Sequence, residues 1–209
     1  MSAVCIVRRL GPADAEIYRS LRIEAIGTTP HTFAEELSAA MERGVGAYAD
    51  ALAGDAETRT FGAFRDGALV GFAASTRKRH PFEFIAKVSS VYVQAGHRRA
   101  GVAHALLALI EGAARGEGVT KLTLAVAVQN AGARRLYEAL GYETYGIEPC
   151  AMRISGMFVD EELRAKFLAR PAPASRISAP GLRGQAFAAP ARPSAPARLI
   201  PGIEAGIPA

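Results

Sequence analysis

The sequence predicts a mixed α/β domain, a sheet of six to seven strands with four or five helices, followed by a C-terminal tail. Three observations predict it. Short β-branched or apolar runs alternate with longer helical stretches through the first 170 residues. An Asp-Gly pair between two such runs marks a hairpin. Eight of the twelve prolines fall after residue 170, in Ala-, Gly- and Ser-rich sequence with no sustained period of 2 or 3.6. The chain therefore divides into a domain over 1–170 and a Pro/Ala-rich tail over 171–209 that is expected to be disordered.

Val4–Arg9 is β-branched and strand-like. Pro12 sits early in a helix through Ile26, an N-terminal position that proline tolerates. Thr28-Thr29-Pro30 breaks that helix. Phe33 to Leu52 is helical, with weak spots at Gly44 and Gly46. Thr58–Arg65 and Ala68–Thr76 pair through Asp66-Gly67, which supplies the positive φ of a tight turn. Glu83–Val93 is apolar over much of its length, as a buried central strand is. A helix over Gly101–Gly116 crosses to the strand Lys121–Val128. The helix Ala131–Leu140 is stopped by Gly141. Two short strands, Tyr142–Tyr145 and Ala151–Ile154, precede a last amphipathic segment, Val159–Leu168.

Half of the residues are hydrophobic, enough for a sizeable core. Cys5 and Cys150 lie far apart and outside any CxxC pattern, so two unpaired thiols in a reducing compartment are expected. His31, His80, His97 and His104 show no metal-binding spacing, and no metal is expected. The N-terminus lacks a signal-peptide pattern, and the longest apolar stretch, Val102–Ile110, is too short to span a bilayer. The expectation is a cytoplasmic protein with no membrane partner. The net charge of +5 is partly the tail's, where Arg176, Arg183, Arg192 and Arg198 face only Glu204. No nucleic-acid footprint emerges, because the charge excess is small and the tail carries a single aromatic, Phe187. The sequence leaves a homodimer open.

The segment Arg98-Arg99-Ala100-Gly101-Val102-Ala103 joins a strand to a helix. A helix start carries N–H groups without internal partners and the positive end of the peptide dipoles. A pyrophosphate fits there. Gly101 and Ala103 let the backbone come close, and two arginines supply charge-assisted bonds. There is no acidic residue between Glu83 and Glu111. Behind the turn, Val102, Leu106, Leu109, Ile110 and Ala113 form the helix's apolar face. Taken alone, the run also fits an ordinary basic turn. It is neither a GxxxxGK P-loop nor GxGxxG.

Asn130 stands where a strand ends and a helix begins, and on its own it fits a simple N-cap. Ala133, Leu136, Tyr137 and Leu140 share one helix face, and Tyr137 on its own fits a core aromatic.

Taken together, VYVQAGHRRAGVAHALL and NAGARRLYEALGY resemble the GNAT acyltransferase superfamily, which moves acyl groups from acyl-coenzyme A. Element order extends the resemblance over about residues 1–155, and LRIEAIGTTPHTFAEE and YGIEPCAMRISG also look like parts of bacterial members. The family's turn, Q/R-x-x-G-x-G/A, is matched by Arg98, Gly101 and Ala103, and its second motif by Asn130, Ala133, Leu136, Tyr137, Gly141 and Tyr142. The resemblance implies an N-acetyltransferase that uses acetyl-CoA as co-substrate and no metal. It implies that the backbone of Val91, Tyr92 and Val93 pairs with the pantetheine arm. Backbone N–H groups of Arg99, Ala100, Gly101, Val102 and Ala103 would hold the pyrophosphate. Asn130 would bond the pantetheine amide region, and Tyr137 would protonate the leaving thiolate. A small-molecule or peptide amine would attack the thioester directly in a ternary complex. A backbone N–H near Tyr92–Val93 would stabilise the oxyanion.

The sequence departs from the family at two places. Lys87 stands where many members carry a Glu that serves as base, so either Glu83, four residues earlier, is the catalytic proton acceptor, acting through water, or the amine arrives already neutral. His80 is a nearby second candidate. Arg99 replaces a residue that is commonly Gly, which a negative φ would tolerate. Lys87 also sustains an alternative: a coenzyme A-binding regulatory module of the same fold with little or no turnover. The acceptor is expected to touch the 26–36 loop, His31 and Phe33 included, and the segment 143–155.

Overall fold

Seven strands build one sheet: β1 Cys5–Arg9, β2 Thr58–Arg65, β3 Ala68–Arg77, β4 Ile85–Val93, β5 Lys121–Ala127, β6 Glu143–Ile154 and β7 Met157–Phe167. In this computed structural model residues 5–29, 33, 35–54, 57–154 and 156–170 are described. Val4, the 30–32 part of the first helix break, His31 within it, and the whole 171–209 tail lie outside them. The strand order is β1-β2-β3-β4-β5-β7-β6. Only β4 and β5 run parallel, and their pairing is short, from Ile85↔Lys121 to Lys87↔Thr123. Beyond Lys87 the two strands part.

The helices are α1 Ala15–Thr28, α2 Leu37–Glu42, α3 Val45–Ala53, α4 Val102–Gly116 and α5 Ala131–Ala139. On one face, Tyr18, Leu21 and Ile26 of α1 and Tyr48 and Leu52 of α3 pack with Phe64, Phe72 and Tyr92 of the sheet. On the other, Val102, Leu106, Leu107 and Ile110 of α4 and Tyr137 of α5 pack on Val70, Val88, Leu124 and Val126. The stripe on α4 is turned slightly from the expected one: Leu107 and Ala114 are buried, while Leu109 and Ala113 are half-buried at its margin. Gly71 keeps this layer tight. A Cβ there would stand 2.9 Å from the Tyr92 carbonyl oxygen and 3.3 Å from Val102 Cγ1.

Three expectations change. The helix over Phe33–Leu52 is two helices, broken at Arg43-Gly44, where Arg43 takes an extended ψ of 118°. Pro12 belongs to a 3₁₀ turn, Pro12–Asp14, ahead of α1. The amphipathic segment Val159–Leu168 is the body of strand β7, and the two short strands before it are one strand, β6, with register shifts at Thr144/Gly146 and Glu148/Met152. Charge hides β7 from its pattern. Its helix-facing side carries Glu162, Arg164 and Lys166 rather than apolar residues. Arg164 Nη2 donates to Glu162 Oε2 at 2.7 Å, Arg134 Nη2 pairs with Glu162 Oε1 at 2.5 Å, and Lys166 Nζ donates to Glu111 Oε1 at 2.6 Å. Glu162 and Arg164 are buried, which only such mutual pairing permits. No helix among the described residues is long and apolar enough to cross a membrane.

Candidate active site

A cleft of about 410 Å³ opens where β4 and β5 part. β4 shapes one wall. A register shift between Phe72 and Ala74 of β3 bulges β4 at Ser90, whose φ is +52°. A bulge bends its strand and re-aims the residues after it. Gln94 N–H is bonded to Val70 O at 2.9 Å, on the β3 side. By strand alternation the Val93 N–H points the other way, towards the cleft. The Val93 carbonyl, on that same side, accepts from Arg98 Nε at 3.0 Å, which ties the turn to the strand end.

The turn then delivers α4. Gly101, its N-cap, has φ +78°, and no side chain caps the helix. Its first turn holds no acidic residue. A Cβ on Gly101 would meet nothing within 4 Å, so the approach to the uncapped N–H groups is open. Arg99 has φ +63°. This corrects the expectation of a negative φ: the turn needs two left-handed residues within three, and Arg99 takes one at a cost of about 1–2 kcal/mol.

The opposite wall comes from β5 and α5. Asn130 Oδ1 accepts the Ala133 N–H at 3.1 Å, so the N-cap is real. The carbonyl does the capping, which leaves the amide nitrogen to donate elsewhere. Tyr137 is buried, packed edge-on against Tyr142 with ring centroids 5.8 Å apart. Burial pushes its hydroxyl up to about 12, against the pull of the Arg164 guanidinium. It stays protonated throughout the physiological range.

Of the residues expected at the cofactor, Val91, Tyr92, Val93, Arg98, Arg99 and Gly101 line this one cleft, as do Val102, Ala103, Asn130, Ala133 and Tyr137. Ala100 does not; its carbonyl accepts from Arg65 Nη2 at 3.2 Å. Glu83 is not brought to the cleft either. The strand begins at Ile85, and Glu83 sits in the preceding turn, with its carboxylate 3.5 Å from His80 Nδ1 and its carbonyl bonded to Arg77 Nε at 2.8 Å. Lys87 is exposed and does not line the cleft.

The cleft also holds residues that sequence reasoning missed. His97 and His104 line it beside the arginines of the turn. Their flanking of RRAGVA was a usable signal, which a search for metal spacing overlooks. Glu161 of β7 lines it as well, and among the described residues it is the single carboxylate that does. No motif marks Glu161; it enters only through the register of a strand whose pattern was obscured.

The arrangement defines the class: a mixed α/β sheet parted at its parallel pair, with a glycine-led helix start at the mouth of the cleft. The sequence pattern of the Acetyltransferase (GNAT) family matches residues 20–142, more than half of the chain, and the chain belongs to that family. Solved structures share the fold. The acetyltransferase of the GNAT family from Streptococcus pneumoniae aligns with a TM-score of 0.70 at 20% identity, covering 78% of this chain and 99% of that one. The yncA protein of Salmonella typhimurium, solved with its cofactor acetyl-CoA, aligns at 0.68 and 22% identity, covering 81% and 97%. The ribosomal-protein-alanine N-acetyltransferase of Brucella melitensis aligns at 0.61 and 22%, covering 78% and 99%. No curated protein matches the chain.

Proposed function

We propose that this protein is an N-acetyltransferase that moves an acetyl group from acetyl-CoA to a primary amine within a ternary complex. The observation that carries the reading is that one cleft joins the turn 98–103, the parted end of β4 and the Asn130–Tyr137 helix. Acetyl-CoA is a long anion with a thioester at its far end, and the cleft suits both ends. The uncapped start of α4 and Arg99 meet the pyrophosphate. The β5-facing edge of β4 beyond Lys87 has no strand partner among the described residues and accepts the pantetheine amides as a strand would. Asn130 adds its amide nitrogen.

At the reacting end the chain supplies two groups. The Val93 N–H faces the cleft and donates to the oxygen of the tetrahedral adduct. Tyr137 donates its proton to the sulfur as the carbon–sulfur bond breaks. The test is an acceptor screen with acetyl-CoA, following thiol release over a panel of amino acids, polyamines and short peptides. Amine-dependent release supports transfer. Cofactor binding without release from any amine favours the silent coenzyme A-binding module that Lys87 keeps in view.

A further inference from the structure

The cleft sets basic side chains beside one carboxylate. His97, Arg98, Arg99 and His104 gather at the turn, while Glu161 is the single carboxylate lining it among the described residues. Arg98 and Arg99 suit the anionic cofactor of the proposed reaction, and a carboxylate in the same cleft suits a cationic acceptor.

The register fixes where Glu161 stands. On β7 it lies directly opposite Ala127 of β5. Directly opposed residues on paired strands share a sheet face. Ala127, and Ala125 two residues before it, also line the cleft, and their methyl groups leave the carboxylate room. Val126, on the other face, packs in the cluster that contains Tyr137. The phenol and the carboxylate therefore reach the parted strands from opposite sides of the sheet. That is the arrangement for a leaving group protonated on one side and a nucleophile deprotonated on the other.

We infer that Glu161 is the catalytic base, receiving the acceptor as an ammonium and taking its proton. This rests on the acetyl-transfer reading above. One N–H proton passes to the Glu161 carboxylate and on to solvent. The freed nitrogen lone pair forms the carbon–nitrogen bond at the thioester carbonyl. The carbon–sulfur bond then breaks, Tyr137 protonates the thiolate, and the nitrogen's second surplus proton leaves to solvent, from which Tyr137 is reprotonated. The products are the neutral amide, coenzyme A thiol and one proton.

The charged groups facing Glu161 are Lys87 from β4 and Glu148, its register partner on β6; β5 presents Ala127. Burial raises the Glu161 pKa, Lys87 opposes it, and Glu148 adds to the rise. A base that titrates above the ordinary glutamate range holds an amine proton better than an exposed carboxylate does. Lys87, at the strand position where the family commonly carries its carboxylate, is thus the counter-charge of a carboxylate on β7.

Thiol release from acetyl-CoA is measured for wild type and Glu161→Gln from about pH 6 to pH 10, with n-butylamine and 1,4-diaminobutane as probes. Thermal shift with acetyl-CoA confirms that the variant folds and binds. The expected result is a loss of about 10²-fold or more in kcat/KM for the amine near pH 7. That loss narrows towards pH 10 as the amine arrives already neutral, with the KM for acetyl-CoA unchanged. Activity within about threefold of wild type at every pH overturns Glu161 as base, and so does a loss that is the same at every pH. Wild type that binds acetyl-CoA and releases no thiol with either amine overturns the transfer reading, and the base with it.

Discussion

The carbonyl oxygen of Asn130 accepts the Ala133 N–H at 3.1 Å, so the capping atom and the free donor of this side chain are different atoms. That separation makes a clean prediction. Asn130→Asp keeps an equally good cap and should hold stability to within about 0.5 kcal/mol, while Asn130→Ala should cost about 1 kcal/mol. Both lose the amide donor, and both should weaken acetyl-CoA binding by up to about tenfold. Calorimetric titration with paired denaturant melts checks this. Full affinity in Asn130→Asp removes the amide from the cofactor site.

In the proposed reaction Tyr137 is the acid. Tyr137→Phe should lower kcat by about 10²-fold or more while leaving the acetyl-CoA dissociation constant unchanged. Because burial holds the hydroxyl at about 12, wild-type kcat should show no loss attributable to this group up to about pH 10. Stopped-flow thiol release across pH measures both. A variant with normal turnover would take the phenol out of the mechanism.

Glu162 and Arg164 lie two residues apart on β7, buried and bonded to each other. Burial disfavours the Glu162 carboxylate, yet hydrogen bonds from Arg164 and Arg134 outweigh it and hold its pKa below the usual range. Arg164→Met leaves a buried carboxylate short of a partner and should cost about 3 kcal/mol. Adding Glu162→Leu should restore part of that loss. Urea unfolding of the single and double variants tests it: a double variant that is less stable than the single one contradicts the pairing.

The same pair explains how much of the molecule was legible in its sequence. The elements from β2 to α5 follow ordinary signals: Asp66-Gly67 for the hairpin, the apolar stripe of α4, and Gly141 after α5. That the residues expected at the cofactor share one cleft, Ala100 excepted, was legible too, since helix starts, small residues and Asn130 act through local chemistry. The region after residue 142 was not. Its last strand buries charge where an amphipathic strand carries apolar residues, and Cys150 at φ +53° marks the irregular stretch of β6 that reads as a gap between two strands. Glu161 went unseen for that reason. Glu83 was favoured by its nearness along the chain to Lys87, whereas the cleft draws its carboxylate from a strand over seventy positions away.

Asp14 gives a pH-dependent handle on the N-terminal part of the fold. Hydrogen bonds from Arg8, at 2.7 Å to each carboxylate oxygen, lower its pKa; burial opposes this, and the Gly11 N–H and the Arg8 charge add to the lowering. A depressed carboxyl contributes stability above its unfolded pKa, near 4, and loses it as the pH falls through the folded value. Asp14→Asn should therefore be less stable than wild type by about 1 kcal/mol at pH 6 or so, with the difference shrinking by about pH 2.5. Denaturant midpoints at both pH values decide it, and a difference that persists in acid would point to packing rather than charge.

The central claim is that one cleft holds acetyl-CoA and delivers its acetyl group to nitrogen. Mass spectrometry of the amines left after incubation with acetyl-CoA, set against the thiol released, tests it most directly. The account predicts an amine heavier by one acetyl group, in equal amount to the coenzyme A formed, and both products formed about 10²-fold more slowly when Tyr137→Phe replaces wild type. Thiol released without any acetylated amine, or acetyl-CoA bound and returned unchanged, would contradict it.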